Sequence, residues 1–203
     1  MTAIELHRVS RVYGNFAALR NISLTIPAGS SVVILGENGA GKSTLLRIIA
    51  GLVSPTHGTV SVSPTLAYMS HETQLYDELT GLENLRYFAS LQPPGLTPEA
   101  ALREVNLDPT LPRRVGEYSQ GMRQRASLAR VLLTQPDLLL LDEPFSNLDV
   151  ASAAHMVELL ENYVKTPSPT GNLRTLLLTT HQADLASPLA QTTLTLRSGG
   201  LVQ

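Results

Sequence analysis

The segment Gly36-Glu37-Asn38-Gly39-Ala40-Gly41-Lys42-Ser43 fits the pattern G-x-x-x-x-G-K-[ST]. The chemistry of such a segment is phosphate binding. Glycines let the backbone wrap closely, so successive N–H groups face phosphate oxygens. A following helix adds the partial positive charge of its N-terminus. Lys42 supplies a point charge for the β- and γ-phosphates, and the Ser43 hydroxyl suits Mg²⁺. With ordinary Gly, Lys and Ser/Thr usage, a chance match in a chain this long is on the order of one in a hundred. Lys42 is one of two lysines against thirteen arginines, so a lysine-rich composition does not explain it.

A phosphate site of this kind needs an acidic partner at the end of a neighbouring buried strand. Leu138-Leu139-Leu140-Leu141-Asp142-Glu143 offers two carboxylates. Asp142 is expected to hold the metal, through water, and Glu143 to polarise an attacking water. Standing alone, the pair reads equally well as a strand end followed by an acidic turn.

These residues need elements to hold them. Ile4 to Val9 and Ile22 to Ile26 alternate apolar and polar residues, as half-buried strands do. Ser31 to Leu35 is a short β-branched run entering the glycine loop. Leu45, Leu46, Ile48, Ile49 and Leu52 behind it follow helical spacing, with a stop near Gly51. Val60 to Val62 and Leu66 to Met69 read as strands. Residues 75–130 read as helices, with Leu79, Leu82, Leu85 and Phe88 at helical spacing. Gln92 to Pro98 is a linker whose Thr97 can cap the next helix. A further helix is expected from Gly121 to about Thr134. Leu138 to Leu141 and Leu173 to Thr180 read as buried parallel strands. Val150 to Val164 reads as a helix, Lys165 to Asn172 as a loop, and Thr192 to Val202 as a hairpin around Gly199-Gly200. The pattern is an α/β core with a helical insertion.

Composition narrows the function. The chain has 203 residues, 43% of them apolar, and a net charge of −2. That makes one domain, or at most one domain with a small second lobe, and it argues against a general nucleic-acid binder. The absence of cysteine removes disulfides, cysteine zinc sites and thiol catalysis. No apolar run approaches the ~20 residues of a membrane span, and Met1 to Val9 lacks a signal-peptide core. A soluble, cytosolic protein is the default expectation.

The chain resembles the ATP-binding subunits of ABC transporters. Tyr118-Ser119-Gln120-Gly121-Met122-Arg123-Gln124-Arg125 looks like the signature motif of that family, 17 residues before Asp142. Ser146-Asn147-Leu148-Asp149 looks like its D-loop. Thr179-Thr180-His181 looks like its switch histidine, and Tyr13-Gly14 like the aromatic position that stacks on adenine, with Phe16 a weaker candidate. The resemblance runs from Tyr13 to His181. It implies a P-loop NTPase core of ABC ATPase type, with an antiparallel β subdomain and a helical subdomain at about 72–135, all within one ATP-binding domain over 1–203. It implies ATP and Mg²⁺ as cofactors. Tyr13, Gly36, Glu37, Asn38, Gly39, Ala40, Gly41, Lys42, Ser43 and Thr44 would hold the nucleotide, and Ser43 and Asp142 the metal. Glu143, His181 and His71 would be catalytic. Ser119, Gly121 and Asp149 would reach the nucleotide of a second copy in a head-to-tail dimer.

Two departures stand out. Tyr118, Gln120 and Met122 replace the common residues of the signature, while Ser119 and Gly121 keep the phosphate contacts. Where the family usually has the Q-loop glutamine, this chain has His71, with Gln74 three residues on. With the following Leu75 to Arg86 and the short chain, this looks like the cytochrome c maturation branch, the heme-exporter-like CcmA type. The resemblance implies a transmembrane permease on separate chains, a place on the cytoplasmic face of the membrane, and no nucleic acid. The ATPase of another ABC exporter, or a soluble ABC ATPase in an assembly process, is the alternative.

Overall fold

A computed structural model describes residues 1–62, 65–169 and 171–202. The strands in chain order are β1 (Thr2–Tyr13), β2 (Phe16–Pro27), β3 (Ser31–Leu35), β4 (His57–Val62), β5 (Leu66–Met69), β6 (Leu138–Asp142), β7 (Thr175–Thr180), β8 (Thr192–Arg197) and β9 (Gly200–Val202). The α-helices are α1 (Lys42–Ile49), α2 (Gly81–Ser90), α3 (Pro98–Glu104), α4 (Gln120–Leu132), α5 (Val150–Lys165) and α6 (Ala183–Ala186).

The strands form two sheets. β2, β1 and β4 make an antiparallel sheet in that order. The main sheet runs β5-β6-β7-β3-β8-β9, parallel except for β9, which returns antiparallel to β8. Its central strands are buried on both faces, so they read as continuous apolar runs. Alternation sorts their side chains into two cores. Val32, Ile34, Leu138, Leu140 and Leu177 pack with α1 and the antiparallel sheet. Val33, Leu139, Leu141, Leu176 and Leu178 face the other way, against α4 and α5. The helices α2, α3 and α4 lie between β5 and β6 in the chain and bury Leu85, Leu102 and Leu128 in that second core.

Side-chain caps start four of the six helices. Thr80 and Glu83 form a reciprocal capping box on α2. Thr97 caps α3 ahead of Pro98, Ser119 caps α4, and Asp149 caps α5.

The structure departs from the sequence expectations in three places. The two short strands expected at Ile4 to Val9 and Ile22 to Ile26 belong to one long hairpin, β1 and β2, turned at Gly14-Asn15. Register shifts interrupt their pairing on either side of Val9, and Arg8 and Asn21 adopt positive φ, so alternation breaks before the strands end. β7 begins at Thr175 rather than Leu173, whose side chain is 64% exposed. The single-turn α6 was not expected at all. Ser63, Pro64, Gln203 and Thr170, the last within the expected 165–172 loop, lie outside the described residues.

Candidate functional site

β5, β6, β7 and β3 stand side by side, and their carboxyl ends open on one cleft of about 830 Å³. In open α/β sheets this is the ligand-binding edge, and the volume lies in the small-molecule range. The strand carrying Asp142 is next but one to the strand that feeds the glycine loop, because β7 lies between them.

The glycine loop bends back toward β2. Gly41, the residue before α1, has φ +107, and a Cβ there would sit 2.5 Å from the Ala18 carbonyl oxygen. Glycine alone meets both conditions. The β8–β9 hairpin braces the loop from outside, through a Gly199 N–H that donates to the Ala40 carbonyl at 3.0 Å. Lys42 Nζ is folded into the loop, donating to the Gly36 carbonyl at 2.7 Å and the Glu37 carbonyl at 3.1 Å. Asn38, Gly39, Gly41, Lys42, Ser43 and Thr44 line the cleft.

Glu143 is the hub of the site. Its Oε1 pairs with Lys42 Nζ at 2.9 Å, and its Oε2 lies 3.0 Å from His181 Nδ1. A carboxylate only accepts, so the proton of that second contact is on Nδ1. Glu143 is 8% exposed, and its backbone is left-handed, with φ +51. Successive strand residues point to opposite faces. The left-handed turn at Glu143 breaks that alternation, so Asp142 and Glu143 both face the cleft.

Asp142 is held differently. Thr179 Oγ1 of β7 donates to its Oδ1 at 2.8 Å, and the Tyr68 hydroxyl of β5 donates to its Oδ2 at 3.3 Å. Among the described residues, no cationic side chain forms an ion pair with Asp142. Burial, and then the negative charge of Asp142, push the Tyr68 hydroxyl up to about 12, against an opposing pull from Arg47.

The remaining expected residues divide into two groups. His71, in the loop after β5, lines the cleft together with Gln74 and Phe16. Tyr13 is the cross-strand partner of Phe16 at the hairpin tip. One face of its ring carries the Arg11 guanidinium, 4.4 Å from the centroid. Ser119, Gly121 and Asp149 stand away from the cleft. Ser119 Oγ accepts from the Met122 N–H at 3.2 Å, and Asp149 Oδ1 from the Ser152 N–H at 2.8 Å. That backbone hydrogen bond holds the Asp149 carboxyl below the ordinary range. A Cβ on Gly121 would come within 2.3 Å of Ser152 Oγ, so glycine is what allows α4 to approach α5.

Sequence reasoning missed Tyr68, Arg47 and Asn147 as cleft-lining residues. The one signal for Tyr68 was a polar tip in an otherwise apolar strand. Asn84 was also missed. It is wholly buried in α2 and organises the 76–80 loop, accepting from the Tyr76 N–H and donating to the Tyr76 and Thr80 carbonyls.

Comparison with known proteins bears on the same residues. The family model described as ABC transporter matches residues 19–146. The aliphatic sulfonates import ATP-binding protein SsuB 1 of Paracoccus denitrificans is 36% identical over 99% of this chain and 82% of its own length. The cytochrome c biogenesis ATP-binding export protein CcmA of Rhodobacter capsulatus is also 36% identical, over 81% of this chain and 77% of its own. One importer and one exporter thus stand at the same identity, and the cytochrome c maturation branch is not singled out. A bacterial ABC transporter cassette solved as a dimer superposes with a TM-score of 0.86 at 25% identity, covering 98% of this chain and 97% of its own. The matched model includes the glycine loop, Asp142 and Glu143, and the fold agrees over nearly the whole chain. The chain therefore belongs to the ABC transporter family, as one of its ATP-binding and ATP-hydrolysing cassettes.

Proposed function

We propose that the protein is the ATP-hydrolysing subunit of an ABC transporter, working as a head-to-tail pair against a permease on separate chains. The observation that carries this reading is Glu143, held between Lys42 and His181 at the mouth of the glycine loop. ATP entering the loop offers its phosphates to Lys42, and Glu143 is released to accept a proton from the attacking water. His181 holds Glu143 through Nδ1, and its proposed role is to hydrogen-bond the γ-phosphate and orient the water. His71 stands where the Q-loop glutamine would meet that water.

The donor set fits Mg²⁺. Ser43 and Asp142 offer hard oxygens, and Mg²⁺ is usually held by one or two carboxylates together with substrate phosphates. Asp142 brings a buried carboxylate that forms no ion pair among the described residues. When bound, the metal neutralises charge developing on the β- and γ-phosphates.

The hairpin tip, with Tyr13 and Phe16, is the proposed adenine platform; Tyr13 is 44% and Phe16 61% exposed. Ser119, Gly121 and Asp149 do not line their own cleft, which supports their use on the nucleotide of a second copy. The relative solved as a dimer supports the same reading. Residues 1–203 act as one ATP-binding domain, with the lobe at 72–135 moving on closure. No helix of the described residues is long and apolar enough to cross a membrane. The proposed place is the cytoplasmic face of the membrane, bound to the permease through the loop from His71 to Glu83.

Export of the cytochrome c maturation type is the finer proposal, supported by His71 and the loop after it and by the exporter among the relatives. Import is the competing reading, supported by the sulfonate importer. One experiment decides between them. Tagged Glu143→Gln is isolated with ATP from the membranes of its host, and bound proteins are identified by mass spectrometry. A multi-span partner with cytochrome c assembly proteins supports export of that type. A multi-span partner with a solute-binding protein supports import. Recovery with soluble assembly proteins alone overturns the transporter reading.

A further inference from the structure

Asp142 receives one hydroxyl from each strand that flanks its own. Its register partner Thr179 on β7 donates at 2.8 Å, and Tyr68 on β5 donates at 3.3 Å. Tyr68 pairs with Leu140 in the parallel register, two residues before Asp142, so its long side chain runs forward along the sheet edge to reach the carboxylate. Both donors are neutral. They fix the two oxygens without neutralising the charge, whereas Glu143 is paired with the cation Lys42. The contrast matters, because a carboxylate paired with a cationic side chain attracts a metal weakly, and one clamped by hydroxyls keeps its full charge in a set orientation. Tyr68 also lines the cleft beside Ser43, so it belongs to the wall that a metal would meet.

We propose that Tyr68 is a positioning residue for Mg²⁺, orienting Asp142 from the β5 side as Thr179 does from the β7 side. The proposal rests on the reading of Asp142 as the metal ligand. Loss of the hydroxyl frees one oxygen of Asp142 to rotate, and the metal binds a carboxylate it must first order.

The test uses Mn²⁺ as a probe with the ADP complex of the full chain. Protein is kept in excess over nucleotide, and free Mn²⁺ is read from its paramagnetic signal. Wild type, Tyr68→Phe and Asp142→Asn are compared, with thermal melting as a check on folding. The phenylalanine variant keeps the ring, which packs against the core that includes Leu140. Tyr68→Phe is expected to weaken Mn²⁺ binding by about tenfold, and to raise the Mg²⁺ needed for half-maximal ATP turnover by the same factor. Asp142→Asn is expected to weaken it more. If Tyr68→Phe melts lower but binds Mn²⁺ as wild type does, while Asp142→Asn binds it weakly, Tyr68 is a packing residue and the proposal fails alone. If Asp142→Asn also binds Mn²⁺ as wild type does, the metal role of Asp142 fails and takes the proposal with it.

Discussion

Glu143 holds its place by two unlike means, a left-handed backbone and side-chain contacts to Lys42 and His181. The backbone turns the side chain into the cleft, and Lys42 and His181 fix its oxygens. Glu143→Gln keeps the shape and loses the proton acceptor. ATP turnover is expected to fall by about a hundredfold or more, while ATP still binds and the dimer accumulates in its presence, as size-exclusion chromatography would show. Unchanged turnover would remove Glu143 from the mechanism. Lys42→Ala is a harsher change. It leaves a buried carboxylate without its cation, so a loss of roughly 3 kcal/mol in denaturant stability is expected alongside lost nucleotide affinity. Tight ATP binding by a folded Lys42→Ala protein would refute the phosphate role. His71 carries no such buried pairing, and His71→Gln is expected to keep or raise basal turnover.

At the scale of elements, the helices answer to a few side chains at their ends. Asn84 makes the loop before α2 part of the helix, because its buried amide satisfies backbone groups from Tyr76 to Thr80. Asn84→Leu leaves the Tyr76 N–H without its acceptor, while the Tyr76 and Thr80 carbonyls keep backbone donors, and is expected to cost about 1–3 kcal/mol. Amide exchange at 76–80 should accelerate before exchange in α2 itself. The caps also set an acid limit. Glu83 and Asp149 are both held below the ordinary carboxylate range by hydrogen bonds at helix starts. A depressed folded pKa means stability that is present above the unfolded value and lost as pH falls through the folded one. Thermal melts of Glu83→Gln should therefore depend less on pH below about 4.5 than those of the parent. Gly121→Ala should push α4 from α5, and Ser152→Gly in the same chain should restore the melting temperature, since the clash is with Ser152 Oγ.

Across the whole molecule, legibility followed sequence contiguity. The glycine loop, the buried runs of β6 and β7 and the Gly199-Gly200 hairpin each carry their signal in adjacent residues, and each was readable. The long β1–β2 hairpin was not, because its bulges break the alternation that marks a strand. Tyr68 and Asn84 were not, because their roles are defined by partners that only the tertiary fold brings near. Gly121 was read for a phosphate, and the fold adds a second reason for glycine there, in the approach of Ser152.

The placement of β7 between β3 and β6 has a consequence for quality control. This strand carries Thr179 against Asp142, and His181, just past its end, meets Glu143. A slip of one residue in its pairing would turn every side chain to the opposite face. It would withdraw the hydroxyl and the imidazole together, and would drive Leu177 into the wrong core. Misassembled copies of this protein would then be silent rather than slow, and would not dissipate ATP while they wait to be degraded.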